Sequence, residues 1–292
     1  MPASPPTLAR RAFLCAAGAL GLAGCSGVSV LNALAGSGHR RQEGVAYGAD
    51  PRQRLDVYLP DTVVAATPLV VFFYGGSWSS GERADYGFVG ESLASGGVAV
   101  AVADYRLSPA VRWQQILADC AAATRWAFDQ APALGLNRRN LYLMGHSAGG
   151  YNAAMLALDA RWLSAAGLAP AQLAGWVGLA GPYDFLPIVN PEARVAFDWP
   201  HTPPDSQPIA HAGGRRSRAL LLAPTEDTVV NPVRSTQGLA RRLEAAGTPV
   251  RHRLLDGVGH GTIVGALAPP LRRLAPVRDE VLAFLRNEPP PA

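Results

Sequence analysis

The chain has 292 residues, 49% hydrophobic and 16% charged, which is enough apolar mass for one large core or two small ones. Its 26 basic residues are all arginine and are spread along the chain, giving a net charge of +4 and no nucleic-acid footprint. The absence of lysine excludes a Schiff-base lysine and a lysine-containing phosphate loop.

Residues 1–24 read as an export signal. Arg10 and Arg11 precede the apolar run 12–23, which is too short to span a bilayer. Twin arginines followed by Ala12, Phe13 and Leu14 resemble a twin-arginine export signal, and Leu22-Ala23-Gly24-Cys25 is similar to a bacterial lipobox. The lipobox resemblance implies cleavage before Cys25 and lipidation of it. The mature protein would then be a cell-envelope lipoprotein on the periplasmic face of a membrane, touching lipid only through its N-terminus. Cys15 and Cys25 belong to this leader, and Cys120 alone remains in the body, so neither a disulfide framework nor a cysteine zinc site is available. Residues 25–42, rich in Gly, Ser and Ala, read as a tether, and 43–292 as one domain.

Short strands are expected at 43–48 and 54–59 around the turn Gly48-Ala49-Asp50-Pro51. Leu55, Val57 and Leu59 alternate with Asp56 and Tyr58, the pattern of a half-buried antiparallel strand. Continuous apolar runs follow at 69–74, 98–103, 141–144, 176–180 and 219–223. Between them lie stretches of helical length at 82–95, 111–130, 150–159 and 232–246. Asn231, Pro232 and Gly247 suit the two ends of the last of these. A strand at 250–255 and a helix at 279–285 complete the chain. Strands apolar on both faces, alternating with helices, predict an α/β fold: a mostly parallel central sheet of about eight strands, covered on both sides. The proline-rich stretch 185–214 is too irregular for the sheet and is expected to run over the site as a partial lid.

The chemistry centres on Gly145-His146-Ser147-Ala148-Gly149, a G-x-S-x-G pattern entered from a strand and left by a helix. Such a turn projects Ser147 free of the sheet and aims helix N–H groups, that of Ala148 first, at a developing oxyanion. A serine needs a base, and the base an orienting carboxylate. Of six histidines, His39 falls in the tether, and His146 adjoins the serine and should point away from it. His201 and His211 lie in the excursion, and His252 lies within a strand. His260, between Gly259 and Gly261 after the last parallel strand, is placed to reach the carboxyl edge of the sheet, where sites in open α/β sheets lie. Asp227, after the strand 219–223, is the expected acid, with Val229 and Val230 packing beneath it. Glu226 is the near alternative, since loop register is open, and Asp184 a weaker one. Further oxyanion donors are expected from the loop Tyr74-Gly75-Gly76-Ser77-Trp78.

With these motifs in place, residues 43–286 resemble the α/β-hydrolase family, and within it the esterase/arylformamidase-like branch that carries H-G-G-x-W and G-H-S-A-G-G. The second motif matches at all six positions from Gly145 to Gly150. The first matches at Gly75, Gly76 and Trp78 but has Tyr74 where the family has His, which leaves open how this loop is braced. The resemblance implies a triad of Ser147, Asp227 and His260, oxyanion donors at Gly76, Ser77 and Ala148, and no metal or organic cofactor. Asp104-Tyr105-Arg106-Leu107 is also similar to a family motif, with Asp104 and Arg106 expected as local polar braces. The implied activity is acyl-enzyme hydrolysis of small or medium carboxylic esters. Hydrolysis of an aryl formamide would use the same residues and call for an aromatic pocket, for which Trp78, Tyr183 and Trp199 are candidates. A non-catalytic lipoprotein that uses the fold as a binding module is the reading from another class; the complete set of Ser, His and Asp disfavours it. The histidines show no paired metal-ligand spacing.

Overall fold

A computed structural model describes residues 31–32 and 39–291; the leader and Cys25 lie outside the described residues. The apolar runs become the inner strands of one eight-stranded sheet: β1 (Arg40–Ala46), β2 (Arg54–Leu59), β3 (Leu69–Phe73), β4 (Ala99–Ala103), β5 (Leu141–His146), β6 (Gly175–Leu179), β7 (Ala219–Pro224) and β8 (Val250–Leu255). Their order is β1-β2-β4-β3-β5-β6-β7-β8, with β1–β2 and β2–β4 antiparallel and every other pair parallel. The five strands β3 to β7 are buried at every residue, as continuous apolar runs require. The edge strand β8 carries Arg251, His252 and Arg253 and is only partly buried, a charged edge that discourages pairing with another chain.

The helices are α1 (Gly87–Ala94), α2 (Trp113–Gln130), α3 (Ala148–Leu158), α4 (Ala160–Ala165), α5 (Pro191–Ala196), α6 (Gly238–Ala245), α7 (Thr262–Gly265) and α8 (Val277–Leu285). One face of the sheet is covered by α1 and α8, tied together by Arg278, which donates to the Ser92 carbonyl. The other carries α2 and α3, which pack on β3 and β5. No helix among the described residues is long and apolar enough to cross a membrane.

Four local expectations differ from what is observed. β2 is not half-buried: Asp56 and Tyr58 are buried too, Asp56 in an ion pair with Arg83 at 2.9 Å, and Tyr58 because Gly90 of α1 lets its ring lie where a Cβ would collide with it. β1 starts at Arg40, so the last three residues assigned to the tether belong to the sheet. Asn32, also from that stretch, grips the start of α1, accepting from the Phe88 N–H at 2.8 Å and donating to the Ala84 carbonyl at 2.7 Å. The helix expected over 82–95 is thereby split into a 3₁₀ turn at Arg83–Tyr86 and α1. The stretch 232–246 opens with a wide turn at Val233–Gln237 before α6. Asn231 caps it through the Arg234 N–H at 2.9 Å, and Gly247 ends it at φ +77°.

Candidate active site

Ser147 stands at the joint of β5 and α3 with φ 53° and ψ −121°, a region a non-glycine residue occupies only under constraint. The constraint is visible on both sides. A Cβ on Gly145 would come 2.0 Å from the Gly149 carbonyl oxygen, and one on Gly149 would come 2.0 Å from that of Phe73. The Ser147 N–H donates to the Leu179 carbonyl of β6 at 2.9 Å, and its own carbonyl accepts from the Tyr151 N–H of α3 at 3.1 Å. Strand, neighbouring strand and helix thus hold the serine main chain rigid, with its side chain facing outward.

The expected partners meet it there. His260 Nε2 lies 2.8 Å from Ser147 Oγ, and His260 Nδ1 lies 2.8 Å from Asp227 Oδ2. An ionised carboxylate only accepts, so Nδ1 carries the hydrogen and Nε2 is left to accept from the serine hydroxyl. The Asp227 side chain is closed to solvent. Burial alone would raise its pKa, but hydrogen bonds from His260 and from the Val230 and Val229 N–H groups outweigh this and hold it below the ordinary carboxylate value. Those two N–H groups reach Asp227 Oδ1 at 3.0 and 2.8 Å. The valines therefore do not pack beneath the acid as expected. Val229 is 65% exposed, and it is the backbone of the turn that orients the carboxylate. Glu226 points into solvent, and Asp184 pairs with Arg234 at 2.7 Å, so neither alternative acid joins the group.

On the other side of Ser147 the loop after β3 comes close enough that a Cβ on Gly75 would sit 2.9 Å from the serine Cβ. Gly76, Ser77 and Trp78 all have positive φ, at 126°, 49° and 60°. The N–H groups of Gly76, Ser77 and Ala148 donate to no protein acceptor among the described residues. Tyr74, which replaces the family histidine, settles how this loop is braced. Its hydroxyl donates to Asp104 Oδ1 at 2.8 Å and accepts from Arg52 Nη2 at 2.8 Å. Burial, with Asp104 beside it, raises the phenol pKa and keeps it a donor. Its ring stacks on Tyr105 at 4.8 Å and Tyr86 at 5.5 Å. Arg52 also donates to the Gly81 carbonyl at 2.8 Å, closing the far end of the loop. Asp104 and Arg106 are braces as expected: Asp104 takes the Arg83 N–H at 2.7 Å, and Arg106 grips Asp119 with two donors at 2.8 and 2.7 Å.

The three aromatics considered for a pocket do not come together. Trp78 clusters with Tyr151, Phe185 and Phe197 at centroid distances of 4.7 to 5.8 Å. Tyr183 is buried against Trp176. The excursion 185–214 is therefore clamped to the loop and to α3 through Phe185 and Phe197. The Tyr151 hydroxyl adds a hydrogen bond to the Ser206 carbonyl at 2.8 Å.

His146 is the residue that sequence reasoning passed over. Its Nε2 lies 2.8 Å from the His260 carbonyl oxygen, and the two imidazole centroids are 5.2 Å apart. A carbonyl only accepts, so Nε2 carries the hydrogen. Burial, then the neighbouring His260, pushes the His146 pKa down to about 3 and keeps the ring neutral. Its place directly before the serine was the available signal.

The model of the BD-FAE family matches residues 55–202, just over half of the chain. The chain belongs to the BD-FAE family. That match takes in the loop at Gly75 and Ser147 and ends before Asp227 and His260, which are joined to the site by geometry. Among relatives, the chain is 30% identical over 243 residues to "Esterase LipC" of Mycobacterium tuberculosis, covering 76% of this chain and 60% of that one. It is 32% identical over 146 residues to "Kynurenine formamidase" of Salmo salar, covering 50% of this chain and 47% of that one. The BD-FAE chain thus spans three fifths or less of these relatives. An inhibited esterase B from Lactobacillus rhamnosis superposes with a TM-score of 0.74 at 20% identity over 96% of both chains. That likeness shows the α/β-hydrolase fold.

Proposed function

We propose that this protein is a serine carboxylesterase acting on small or medium esters through a covalent acyl-enzyme. The observation that carries the reading is the relay from Asp227 through His260 to Ser147, two contacts of 2.8 Å each, next to backbone N–H groups with no protein acceptor among the described residues. Similarity to an esterase over 76% of the chain supports it. His260 takes the Ser147 proton as Oγ attacks the ester carbonyl, and Asp227 stabilises the imidazolium. The N–H groups of Gly76, Ser77 and Ala148 receive the oxyanion. His260 then protonates the departing alcohol, and water repeats the cycle on the acyl-enzyme. A p-nitrophenyl ester series from acetate to long acyl chains, with Ser147→Ala as control, tests this. Activity should vanish in the variant, together with fluorophosphonate labelling. A wild type inert to every ester and unlabelled by the probe would end the reading.

The similarity to a kynurenine formamidase favours a second reading, cleavage of an aryl formamide by the same residues. Comparing kcat/KM for p-nitrophenyl acetate with that for an N-formyl aryl amine separates the two. For the N-terminus we propose export and lipidation at Cys25, on the lipobox-like Leu22-Ala23-Gly24-Cys25. Radiolabelled palmitate should enter the wild type and not Cys25→Ser.

A further inference from the structure

His260 is the least supported member of the proposed triad along its own chain. It sits between Gly259 and Gly261, beyond the last rung of β8, where Thr225 N–H meets the Leu255 carbonyl. The first turn of α7 steps over it: Ile263 bonds back to Gly259 and Gly265 to Gly261, and no backbone N–H reaches the His260 carbonyl among the described residues. Flanking glycines leave such a residue with more conformational freedom than any other neighbours would. The polar tie on the His260 main chain is the His146 imidazole, at 2.8 Å.

We propose that His146 is a positioning residue that sets the distance between His260 and Ser147. The inference rests on the triad reading. Consecutive residues of the rigid elbow hold the base at two points. Ser147 Oγ meets the imidazole Nε2, and the His146 ring holds the carbonyl of the same residue. His146 is itself immobile: it is 5% exposed, and a Cβ on Gly75 would come 3.1 Å from its Nδ1. It therefore also touches the loop that carries the oxyanion donors, and links the three parts of the site across the top of β5. Because its ring is neutral, the hydrogen bond persists without placing a second positive charge beside the imidazolium that His260 becomes.

The test compares His146→Leu, which removes the donor, with His146→Gln, whose amide N–H has a comparable reach. With p-nitrophenyl acetate the leucine variant should lose about 10- to 100-fold in kcat with KM within about twofold, the signature of a displaced catalytic group. The glutamine variant should recover most of that loss. Proton NMR gives a readout independent of turnover. The downfield proton shared by His260 and Asp227 should be sharp in the wild type and in His146→Gln, and broadened or lost in His146→Leu. Wild-type kcat and an unchanged proton signal in His146→Leu would overturn the proposal. So would equal losses in both variants that track a shared fall in melting temperature, which would assign His146 to packing. A wild type that neither hydrolyses esters nor reacts with fluorophosphonate sinks the esterase reading instead, and the NMR comparison still decides whether His146 holds His260.

Discussion

Asp227 keeps its charge in a position where burial alone would remove it, and two backbone N–H groups and His260 are the reason. Its pKa is depressed, so it stays ionised from neutral pH down to below the ordinary carboxylate value and loses its charge only beneath that. Asp227→Asn keeps the size of the side chain but lets it donate to the imidazole, favouring the wrong tautomer. By analogy with other triads kcat should fall by about 10³–10⁴-fold with little change in KM. Initial rates against p-nitrophenyl acetate check this. A loss below about tenfold would transfer the role to Glu226 or to no carboxylate at all. At this scale the sequence was partly legible. Ser147 and His260 are marked by glycines on either side, which exist to let backbone turn and approach. Asp227 and Glu226 are adjacent carboxylates in one loop, and only the turn that brings the Val229 and Val230 N–H groups to Oδ1 selects between them. His146 was judged by its neighbour in sequence, whereas its partner is 114 residues away.

The end of β3 and the start of α3 meet backbone against backbone. Gly149→Ala would drive a Cβ to 2.0 Å from the Phe73 carbonyl oxygen, backbone against backbone, so the strand or the helix must move. The expected cost is at least about 3 kcal/mol of stability, read from urea unfolding. The loop leaving β3 depends instead on Tyr74. Tyr74→Phe keeps both ring stacks and removes one donor and one acceptor. Asp104 keeps its hydrogen bonds from Arg83 and the looser Arg52 ion pair at 3.8 Å, and Arg52 Nη2 keeps only the Gly81 carbonyl as a hydrogen-bond acceptor. Stability should drop by about 1–3 kcal/mol, the cost of a buried hydrogen bond to a charged group. If the Gly76 and Ser77 N–H groups bind the oxyanion, kcat should fall by about tenfold or more while KM holds. Unchanged kcat in a folded variant would show that the Tyr74 hydroxyl is not needed to hold the donors in place. The strands were legible because five of them are buried at every position and read as near-continuous apolar runs, broken among polar residues only by His146 at the end of β5. Element ends were not, where distant residues define them: Asn32 starts α1, and the glycine in the middle of α1 buries Tyr58 of β2.

For the molecule as a whole, alternation of apolar runs and helices was enough to read a parallel sheet covered on both faces. It carried no signal for strand order, since the placing of β4 between β2 and β3 follows from right-handed crossovers and from which faces pack, not from any single run. That order gathers β3, β5, β7 and β8 in one half of the sheet, with only β6 between β5 and β7, and so brings residues 75, 147, 227 and 260 together at its carboxyl edge. It also buries His146, and burial couples the site to global stability. In the native state His146 has a pKa of about 3, while in the unfolded chain histidine titrates near an ordinary value of about 6.5. Above that ordinary value neither state binds the proton and the group has no effect. As pH falls through it, the unfolded chain takes up a proton that the native site refuses until about pH 3. Stability is therefore lost at up to about 1.4 kcal/mol per pH unit across this window, or about 2 kcal/mol by pH 5. Urea unfolding of the wild type and of His146→Gln at pH 7.5, 6 and 5 isolates this contribution, because every other titrating group is common to both chains. The glutamine variant should be less acid-sensitive by about 2 kcal/mol over that range. Parallel curves would mean that His146 accepts a proton inside the fold, and a charged His146 could not stand this close to the imidazolium formed during catalysis.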